Sequence, residues 1–293
     1  MIDFFITYRP VLDQILIVTG LAFSQYIALR AGVFSLAPAG FAALGAYTGA
    51  VLHMTYGWPV WLALICSALF GVFAGALLSI PLARLRGVFQ AIATLAFVQI
   101  VVSLSLYAES ITGGAVGING IPAVIKTSHL LVFFVVVTIF TLIMNRYAVG
   151  RAFDAIRQEE TVAVALGISV AKYQALSFAI SGGVAGLSGG LLAFNTYSIT
   201  PEQFGFPMLI TAIAAVVLGG RVSVWGPIVG AFILTALPEI ARPLAQQRLL
   251  VNGVILILII SYMPMGIVDT FRRYLAGRRQ TSTAANTDVR RKT

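Results

Sequence analysis

Long stretches without a charged side chain alternate with short polar segments along the chain. Asp, Glu, Lys and Arg are absent between Arg30 and Arg84, and a similar run lies between Lys172 and Glu202. A helix of about 20 apolar residues crosses the ~30 Å hydrocarbon core of a bilayer. We therefore predict an all-α polytopic membrane protein, a bundle of about 8–10 transmembrane helices. Nine elements are expected, near residues 11–29, 32–53, 58–80, 88–107, 127–145, 173–194, 206–220, 223–239 and 249–268.

The element predicted at 32–53 contains a proline near its start. Pro38 cannot donate a backbone hydrogen bond and disturbs the carbonyl of the preceding helical turn. A break of this kind is tolerated at membrane depth where the free backbone groups face protein rather than lipid. This element is therefore the candidate for a broken helix in the bundle.

Glycines recur at four-residue spacing within several predicted spans. They are Gly45 and Gly49, Gly71 and Gly75, Gly182, Gly186 and Gly190, and Gly226 and Gly230. Helices associate in lipid through close packing, which small residues allow. We interpret these glycines as packing seams, and a transport pathway along the seams is the alternative.

Positive charge falls mainly on one side of the predicted bundle. The net charge is +9, and only four of the 19 Lys and Arg residues lie on the poorer side: Arg9, Lys126, Arg242 and Arg248. The richer side is cytoplasmic by the positive-inside rule, which puts the N-terminus outside and the C-terminus inside. This topology accounts for the charge without nucleic acid. Residues 1–272 then form the transmembrane domain, and 273–293 form a basic cytoplasmic tail that we expect to be disordered.

The segment 151–168 is the most charged part of the chain outside its ends. It contains Arg151, Asp154, Arg157, Glu159 and Glu160. Good helix formers dominate the segment, and Gly167 supplies a stop. Its apolar face is formed by Phe153, Ile156, Ala163 and Leu166. We predict one short helix lying flat at the cytoplasmic surface, where a motor protein can push.

The sequence carries no catalytic constellation and no metal-ligand spacing, so we expect a transporter without its own enzymatic site or cofactor. The phosphate-binding loop of ATPases ends in Gly-Lys-Ser/Thr. None of the three lysines, Lys126, Lys172 and Lys292, follows a glycine. If transport is driven by ATP, the ATPase must therefore be another chain.

Two further groups of residues leave alternatives open. An ion-coupled secondary carrier would need intramembrane carboxylates, and Asp13 and Glu239 would be the first candidates. In the loop 109–122, glycines at 113, 114, 117 and 120 can expose successive backbone N–H groups. Such a loop is either an anion-binding nest or simply a tight connection between spans.

Four motifs, in this order, resemble those of the permeases of ABC importers for branched-chain amino acids. They are Leu36-Ala-Pro-Ala-Gly-Phe-Ala-Ala-Leu-Gly-Ala-Tyr-Thr48, Thr112-Gly-Gly-x-x-Gly-Ile-x-Gly-Ile-Pro122, Ala155-Ile-Arg-x-x-Glu-x-x-Ala-x-Ala-Leu-Gly-Ile168 and Val217-Leu-Gly-Gly…Gly-Pro-Ile-Val-Gly230. The resemblance covers residues from about 20 to 270.

The resemblance implies a bacterial inner-membrane complex with the bilayer as its environment. Two permease chains, identical or related, would pair around the pathway, with two cytoplasmic ABC ATPases below and a periplasmic substrate-binding protein above. Residues 151–168 would be the coupling helix that enters a groove on the ATPase. Its contacts would come from Arg157, Glu159, Glu160, Ala163 and Gly167. The pathway would be lined by Pro38, Tyr47, Thr112, Gly113, Gly114 and Gly117.

Three positions depart from the family pattern. Gln158 stands where the family often has an acid, and Val164 replaces a frequent Glu. Pro38 stands where many members carry a histidine. The expected substrates are branched-chain or other hydrophobic amino acids, and urea, short amides or other carboxylate compounds are the alternatives within the same family.

Overall fold

The computed structural model describes residues 2–240, 261, 266–271 and 274. Most of the predicted span 249–268, and all of the predicted tail 273–293 except Tyr274, lie outside the described residues.

The described chain is almost entirely helical, as the hydropathy pattern predicts. The helices are α1 (Ile2–Arg30), α2 (Pro38–Met54), α3 (Val60–Leu82), α4 (Val88–Tyr107), α5 (Glu109–Thr112), α6 (Thr127–Arg146), α7 (Ala148–Gln158), α8 (Glu160–Ala165), α9 (Val170–Asn195), α10 (Phe206–Gly219) and α11 (Trp225–Ile240). Short 3₁₀ turns cover Gly114–Val116 and Pro201–Phe204. The two-residue strands β1 (Ile118–Asn119) and β2 (Ser198–Ile199) pair antiparallel, with Ile118 opposite Ile199.

Six stretches within the described residues are long and apolar enough to cross a membrane: Arg9–Arg30, Val60–Leu82, Val88–Tyr107, Thr127–Arg146, Val170–Asn195 and Pro201–Gly219. α2 and α11 are shorter, at 17 and 16 residues. These elements coincide with eight of the nine predicted spans. The all-helical membrane fold is therefore confirmed.

Within the element predicted at 32–53, the helix begins at Pro38, so the proline starts a helix rather than interrupting one. Pro38 occupies the first turn of α2, where a missing N–H leaves no bond unmade. The five residues before it are not helical, and they are mostly buried within the protein. Two side chains form hydrogen bonds with the backbone of this segment: Gln25 Nε2 donates to the Ser35 carbonyl at 2.7 Å, and the Leu36 amide donates to Thr94 Oγ1 at 2.9 Å.

The core of the bundle is a seam of small residues that joins α2, α3 and α9. A Cβ on Gly71 would collide with the carbonyl of Gly182, and one on Gly45 would collide with that of Gly186. α10 and α11 meet in the same way, since a Cβ on Gly230 would strike the Ala215 carbonyl. The packing interpretation of the spaced glycines is confirmed, because the backbones touch where the side chains are missing.

The outward faces of α3, α4 and α6 carry exposed apolar side chains. α3 presents them at four-residue intervals, as a stripe of Ile65, Leu69, Phe73 and Leu77. Of the apolar window in α6, only 28% is buried, against 67% for α1. A water-soluble protein rarely exposes so much contiguous apolar surface, whereas a membrane protein turns it towards lipid.

The connections predicted to share a side of the membrane meet in the structure. At one end, Arg30 bonds to Asp154, Arg86 to Glu160, and Asp269 to the backbone of Val222. At the other end, Arg9 bonds to Thr127 and β1 pairs with β2. This grouping agrees with the predicted alternation of the spans. We refer to the two ends as the Arg30 end and the Arg9 end.

Candidate functional site

The segment predicted as one helix over 151–168 forms two helices that meet at a kink. α7 ends at Gln158, and Glu159 then adopts an extended backbone with φ −157° and ψ 111° before α8 begins. Helix propensity favours a continuous helix here, and tertiary contacts override that weak preference. Gly167 ends the segment in the left-handed region with φ +80°, which confirms the predicted stop.

The buried face of α7 fixes it against the bundle. Phe153 is fully buried, with its ring 6.3 Å from that of Tyr173 in an edge-on contact. Gly150 lies so close to the end of α6 that a Cβ there would stand 2.6 Å from the Asn145 Cα. Gly32, which follows α1, lies against the backbone of Arg157. α7 is therefore seated on the ends of α1, α6 and α9.

A buried polar cluster joins α7 to α1 and to the connection before α11. Arg30 Nη2 bonds to Asp154 Oδ2 at 2.6 Å, and Arg157 forms a looser ion pair with Asp154 Oδ1 at 3.6 Å. Arg30 Nη1 also donates to the Tyr26 hydroxyl at 2.6 Å. We call Tyr26, Arg30, Asn145, Asp154 and Arg157 the ion cluster.

The Tyr26 hydroxyl links the ion cluster by hydrogen bonds to α6 and to the connection before α11. It accepts a hydrogen bond from Asn145 Nδ2 at 3.2 Å and donates to the Val222 carbonyl at 3.1 Å. The connection containing Val222 is itself held by Asp269, whose carboxylate accepts from the amides of Val222 and Ser223 at 2.9 and 3.1 Å. Five parts of the chain therefore meet within a few side chains.

The predicted coupling residues lie in different environments. Arg157 belongs to the ion cluster, and Glu160 pairs with Arg86 at 3.0 Å. Glu159 is exposed at the kink and accepts a hydrogen bond from the Thr161 hydroxyl at 2.8 Å. Ala163 is fully buried, and Gly167 has nothing within 4 Å of a built Cβ.

Three apolar side chains in α8 and directly after it are exposed. Val162, Val164 and Leu166 are 54%, 58% and 72% exposed, respectively. Leu166 was predicted to share one apolar face with Phe153, Ile156 and Ala163, and this is wrong: those three side chains are buried, whereas the kink at Glu159 leaves Leu166 exposed. We call Val162, Val164 and Leu166 the α8 patch.

Two of the predicted pathway residues line one cavity. Tyr47 from α2 and Thr112 from α5 face a space of about 330 Å³, which α4 closes with Val101, Leu104 and Ser105. Tyr47 is 6% exposed, and its hydroxyl has no hydrogen-bond partner. Thr112 donates to the Ser105 carbonyl at 2.6 Å. We call this space the α2–α4 cavity.

The remaining pathway residues lie elsewhere. Pro38 is at the opposite end of α2, near the Arg30 end. Gly113, Gly114 and Gly117 have φ of +73°, +60° and +71°, and they shape a tight turn before β1. The amides of Gly113 and Gly117 donate to the carbonyls of Glu109 and Gly114. Since these donors are used within the loop, the tight-connection interpretation accounts for the glycines better than an anion nest.

Sequence reasoning missed the ion cluster and the α2–α4 cavity as assembled sites. Arg30 counted only as a topological charge, and Tyr26 and Asn145 gave no signal. The pairing of Arg30 with Asp154 spans 124 positions, so no local pattern reveals it. The one available signal was Asp154 itself, an acid between Arg151 and Arg157 on the more basic side of the predicted bundle.

Known proteins align with most of the length of this chain. The profile of the family described as "Branched-chain amino acid transport system / permease component" matches residues 10–262. The high-affinity branched-chain amino acid transport system permease protein LivM of Escherichia coli (strain K12) is 30% identical over 90% of this chain and 70% of that protein. LivH of the same strain is 31% identical over 47% of this chain and 45% of that protein. The autoinducer 2 import system permease protein LsrC of Salmonella paratyphi B is 30% identical over 66% and 58%.

No solved structure matches the chain. The family match covers more than half of the residues, and the LivM match covers nine-tenths of them. The chain therefore belongs to the branched-chain amino acid transport permease family, as a multi-pass, non-enzymatic permease component of an ABC importer.

Proposed function

We propose that this chain is one of two permease chains in an importer that moves branched-chain or other hydrophobic amino acids into the cytoplasm. Two separate ATPase subunits supply the energy, and a periplasmic binding protein delivers the substrate. The complex resides in the bacterial inner membrane, with the Arg30 end and the C-terminus on the cytoplasmic side. The family membership and the charge bias support this proposal.

The observation that carries the proposal is the α8 patch. Its three apolar side chains lie beside Glu159 and next to the Arg86–Glu160 ion pair, at the more basic end of the bundle. Charged neighbours of this kind indicate contact with water rather than with hydrocarbon. Exposed apolar side chains grouped together in water fit a protein partner. In an importer whose permease has no ATPase site, that partner is the ATPase.

The contacts of α7 give the ATPase a path into the bundle. Movement of α8 reaches α7 through the kink at Glu159, and α7 is joined to α1 by the Arg30–Asp154 bond. The Tyr26 hydroxyl extends the path to Val222, and from there to α11. Arg157 acts inside this path by holding Asp154, while Glu159, Glu160 and the α8 patch face the partner.

For the substrate route, the proposal uses Tyr47 and Thr112 at the α2–α4 cavity. A largely apolar space with one unbonded hydroxyl is suited to an apolar side chain. The LsrC relative, whose name gives autoinducer 2 as its cargo, supports a second candidate: a solute other than a branched-chain amino acid. Urea, short amides and carboxylates belong to the same group of candidates.

Replacing one residue of the α8 patch tests the docking role. Leu166→Asp places a charge in the proposed apolar contact, which should reduce co-purification of the ATPase about tenfold or more, since burying an unpaired charge is costly. Val116→Asp is the matched control: Val116 is 71% exposed, as Leu166 is, but it lies in the turn beside β1 at the Arg9 end.

Both variants should fold, since both positions are exposed, and size-exclusion chromatography checks this. Co-purification is measured with the second permease chain and both ATPases co-expressed. Equal ATPase recovery for Leu166→Asp and the wild type would remove the α8 patch from the interface. Loss of ATPase with Val116→Asp alone would place the docking surface at the Arg9 end and contradict the proposal.

A further inference from the structure

A second and larger cavity opens at the Arg9 end of the bundle. Its volume is about 870 Å³, and it lies between α1, the end of α9 and the start of α10. Arg9 and Asp13 of α1 face it together with Asn195 of α9, while Ile17, Leu21 and Met208 form part of its apolar wall. We call this space the α1–α10 cavity.

The carboxylate of Asp13 is buried with one oxygen unused. Asp13 is 6% exposed, and its Oδ2 accepts a hydrogen bond from Asn195 Nδ2 at 3.3 Å. Its Oδ1 has no hydrogen-bond partner. Burying a carboxylate is costly unless donors surround it, so an unbonded oxygen on a residue that lines a cavity indicates a missing donor. Within a membrane span, such a group is a candidate functional site.

Arg9 lies one helical turn from Asp13 and faces the same cavity, yet the two charges do not pair. Side chains at this spacing share a helix face, with Cβ atoms about 5–6 Å apart. Arg9 Nε donates instead to Thr127 Oγ1 at 3.1 Å, and the ion pairs found among the described residues all lie at the Arg30 end. A positive and a negative group therefore border the cavity without neutralising each other.

The next turns of the same face of α1 are apolar. Ile17 and Leu21 follow Asp13 at four-residue spacing, and both are buried along the cavity wall. Along α1, the lining of the cavity therefore changes from charged at Arg9 and Asp13 to aliphatic at Ile17 and Leu21. A molecule that matches this arrangement has an ammonium group, a carboxylate and an aliphatic side chain.

We propose that the α1–α10 cavity binds a hydrophobic amino acid as its zwitterion. The ammonium group donates to Asp13 Oδ1, the carboxylate contacts the Arg9 guanidinium, and the side chain lies along Ile17 and Leu21. This inference rests on the proposed function, since it gives the importer a solute site near the surface where substrate would be delivered. The α2–α4 cavity has no charged lining residue and complements it as an apolar space.

Uptake by the assembled importer tests the site. Liposomes containing both permease chains and the ATPases, supplied with the binding protein, are given radiolabelled L-leucine. Asp13→Asn should lower uptake about tenfold or more at low leucine concentration, because a charge-assisted hydrogen bond is lost. Asp13→Glu should retain more uptake than Asp13→Asn. The matched control is Glu202→Gln, which alters an exposed carboxylate outside the cavity lining and should leave uptake unchanged.

A labelling experiment separates this site from the transport function. Gln14 faces the cavity and is exposed, so Gln14→Cys in a Cys66→Ser background should react with N-ethylmaleimide in the purified full chain. L-leucine at millimolar concentration should slow this reaction, whereas 4-methylpentanoate and isoamylamine, which each lack one charged group, should not. Asp13→Asn should abolish the protection by L-leucine.

The outcomes separate the two ideas. Protection by L-leucine without uptake by the wild-type complex would support the site and contradict the proposed function. Wild-type uptake that persists undiminished in Asp13→Asn would overturn the site and leave the proposed function standing. Equal protection by all three compounds, or by none, would also overturn the zwitterion site.

Discussion

The seam between α2, α3 and α9 and the attachment of α7 hold helices together by opposite means. In the seam, the backbone of Gly71 contacts that of Gly182 directly, and no side chain stands between them. At α7, charged groups add to the buried apolar face, above all through the Arg30–Asp154 bond of 2.6 Å. The first contact depends on missing atoms, and the second depends on two particular side chains.

This difference indicates how the molecule can move. Backbones in contact have one arrangement, because a close-packed interface resists deformation. We therefore expect α2, α3 and α9 to move as one body. An ion pair between flexible side chains can lengthen or exchange partners, and Asp154 already has a second partner in Arg157. Relative motion should be concentrated at the ion cluster.

The largest expected effect comes from filling the seam. Gly71→Leu would drive a side chain into the Gly182 carbonyl, and the backbones would have to separate. Overpacking costs about 1–3 kcal/mol and occasionally more, and here the obstacle is backbone rather than a movable side chain. We expect little or no monodisperse protein in fluorescence-detected size-exclusion chromatography.

The matched control adds similar bulk to the other side of the same helix. Ala76 is exposed on the outward face of α3, so Ala76→Leu should behave as the wild type. If Gly71→Leu and Ala76→Leu gave equal yields and melting temperatures, the seam would not be the rigid part of the molecule.

The seam could be predicted from the sequence, because its glycines recur at a regular spacing. Gly71 and Gly75, and Gly182, Gly186 and Gly190, repeat at the spacing that puts residues on one helix face. The uncharged runs located the spans in the same way. The sequence left the start of α2 open, since Pro38 alone does not show whether a helix breaks or begins there.

The functional regions were harder to predict from the sequence, because their residues come from distant parts of the chain. The kink at Glu159 reflects how α7 and α8 are seated, whereas the local sequence favours one helix. The family resemblance drew attention to Glu159 and Glu160. The α8 patch was recognised only from the exposure of its three side chains in the structure. The α1–α10 cavity is lined by residues of α1, α9 and α10, and Asp13 is the lining residue that stood out in the sequence.

The second effect in size should come from the ion cluster. Asp154→Ala leaves the Arg30 side chain, only 10% exposed, without its carboxylate partner. Breaking a buried ion pair costs about 3–5 kcal/mol, and the 32% exposure of Asp154 should reduce this to about 2 kcal/mol. Thermal unfolding in detergent should show a clear fall in melting temperature.

The double variant sharpens this expectation. Arg30→Met with Asp154→Ala removes the uncompensated charge, so its loss of stability should be smaller than the sum of the two single losses. Strict additivity would mean that the two groups do not act as a pair. The seam offers no such rescue, because its contacts are made by backbone.

The smallest effect on stability, with a large effect on activity, is expected at Glu160. Its partner Arg86 is 77% exposed, and such surface pairs contribute only about 0–1 kcal/mol. Glu160→Lys should therefore fold normally, yet repulsion from Arg86 should shift α8 and lower substrate-stimulated ATP hydrolysis by the assembled complex. The charge swap, Arg86→Glu with Glu160→Lys, should restore hydrolysis if the pair positions α8. Normal stimulated hydrolysis in the single variant would show that α8 does not transmit force. The moving part of the molecule would then lie outside α7 and α8.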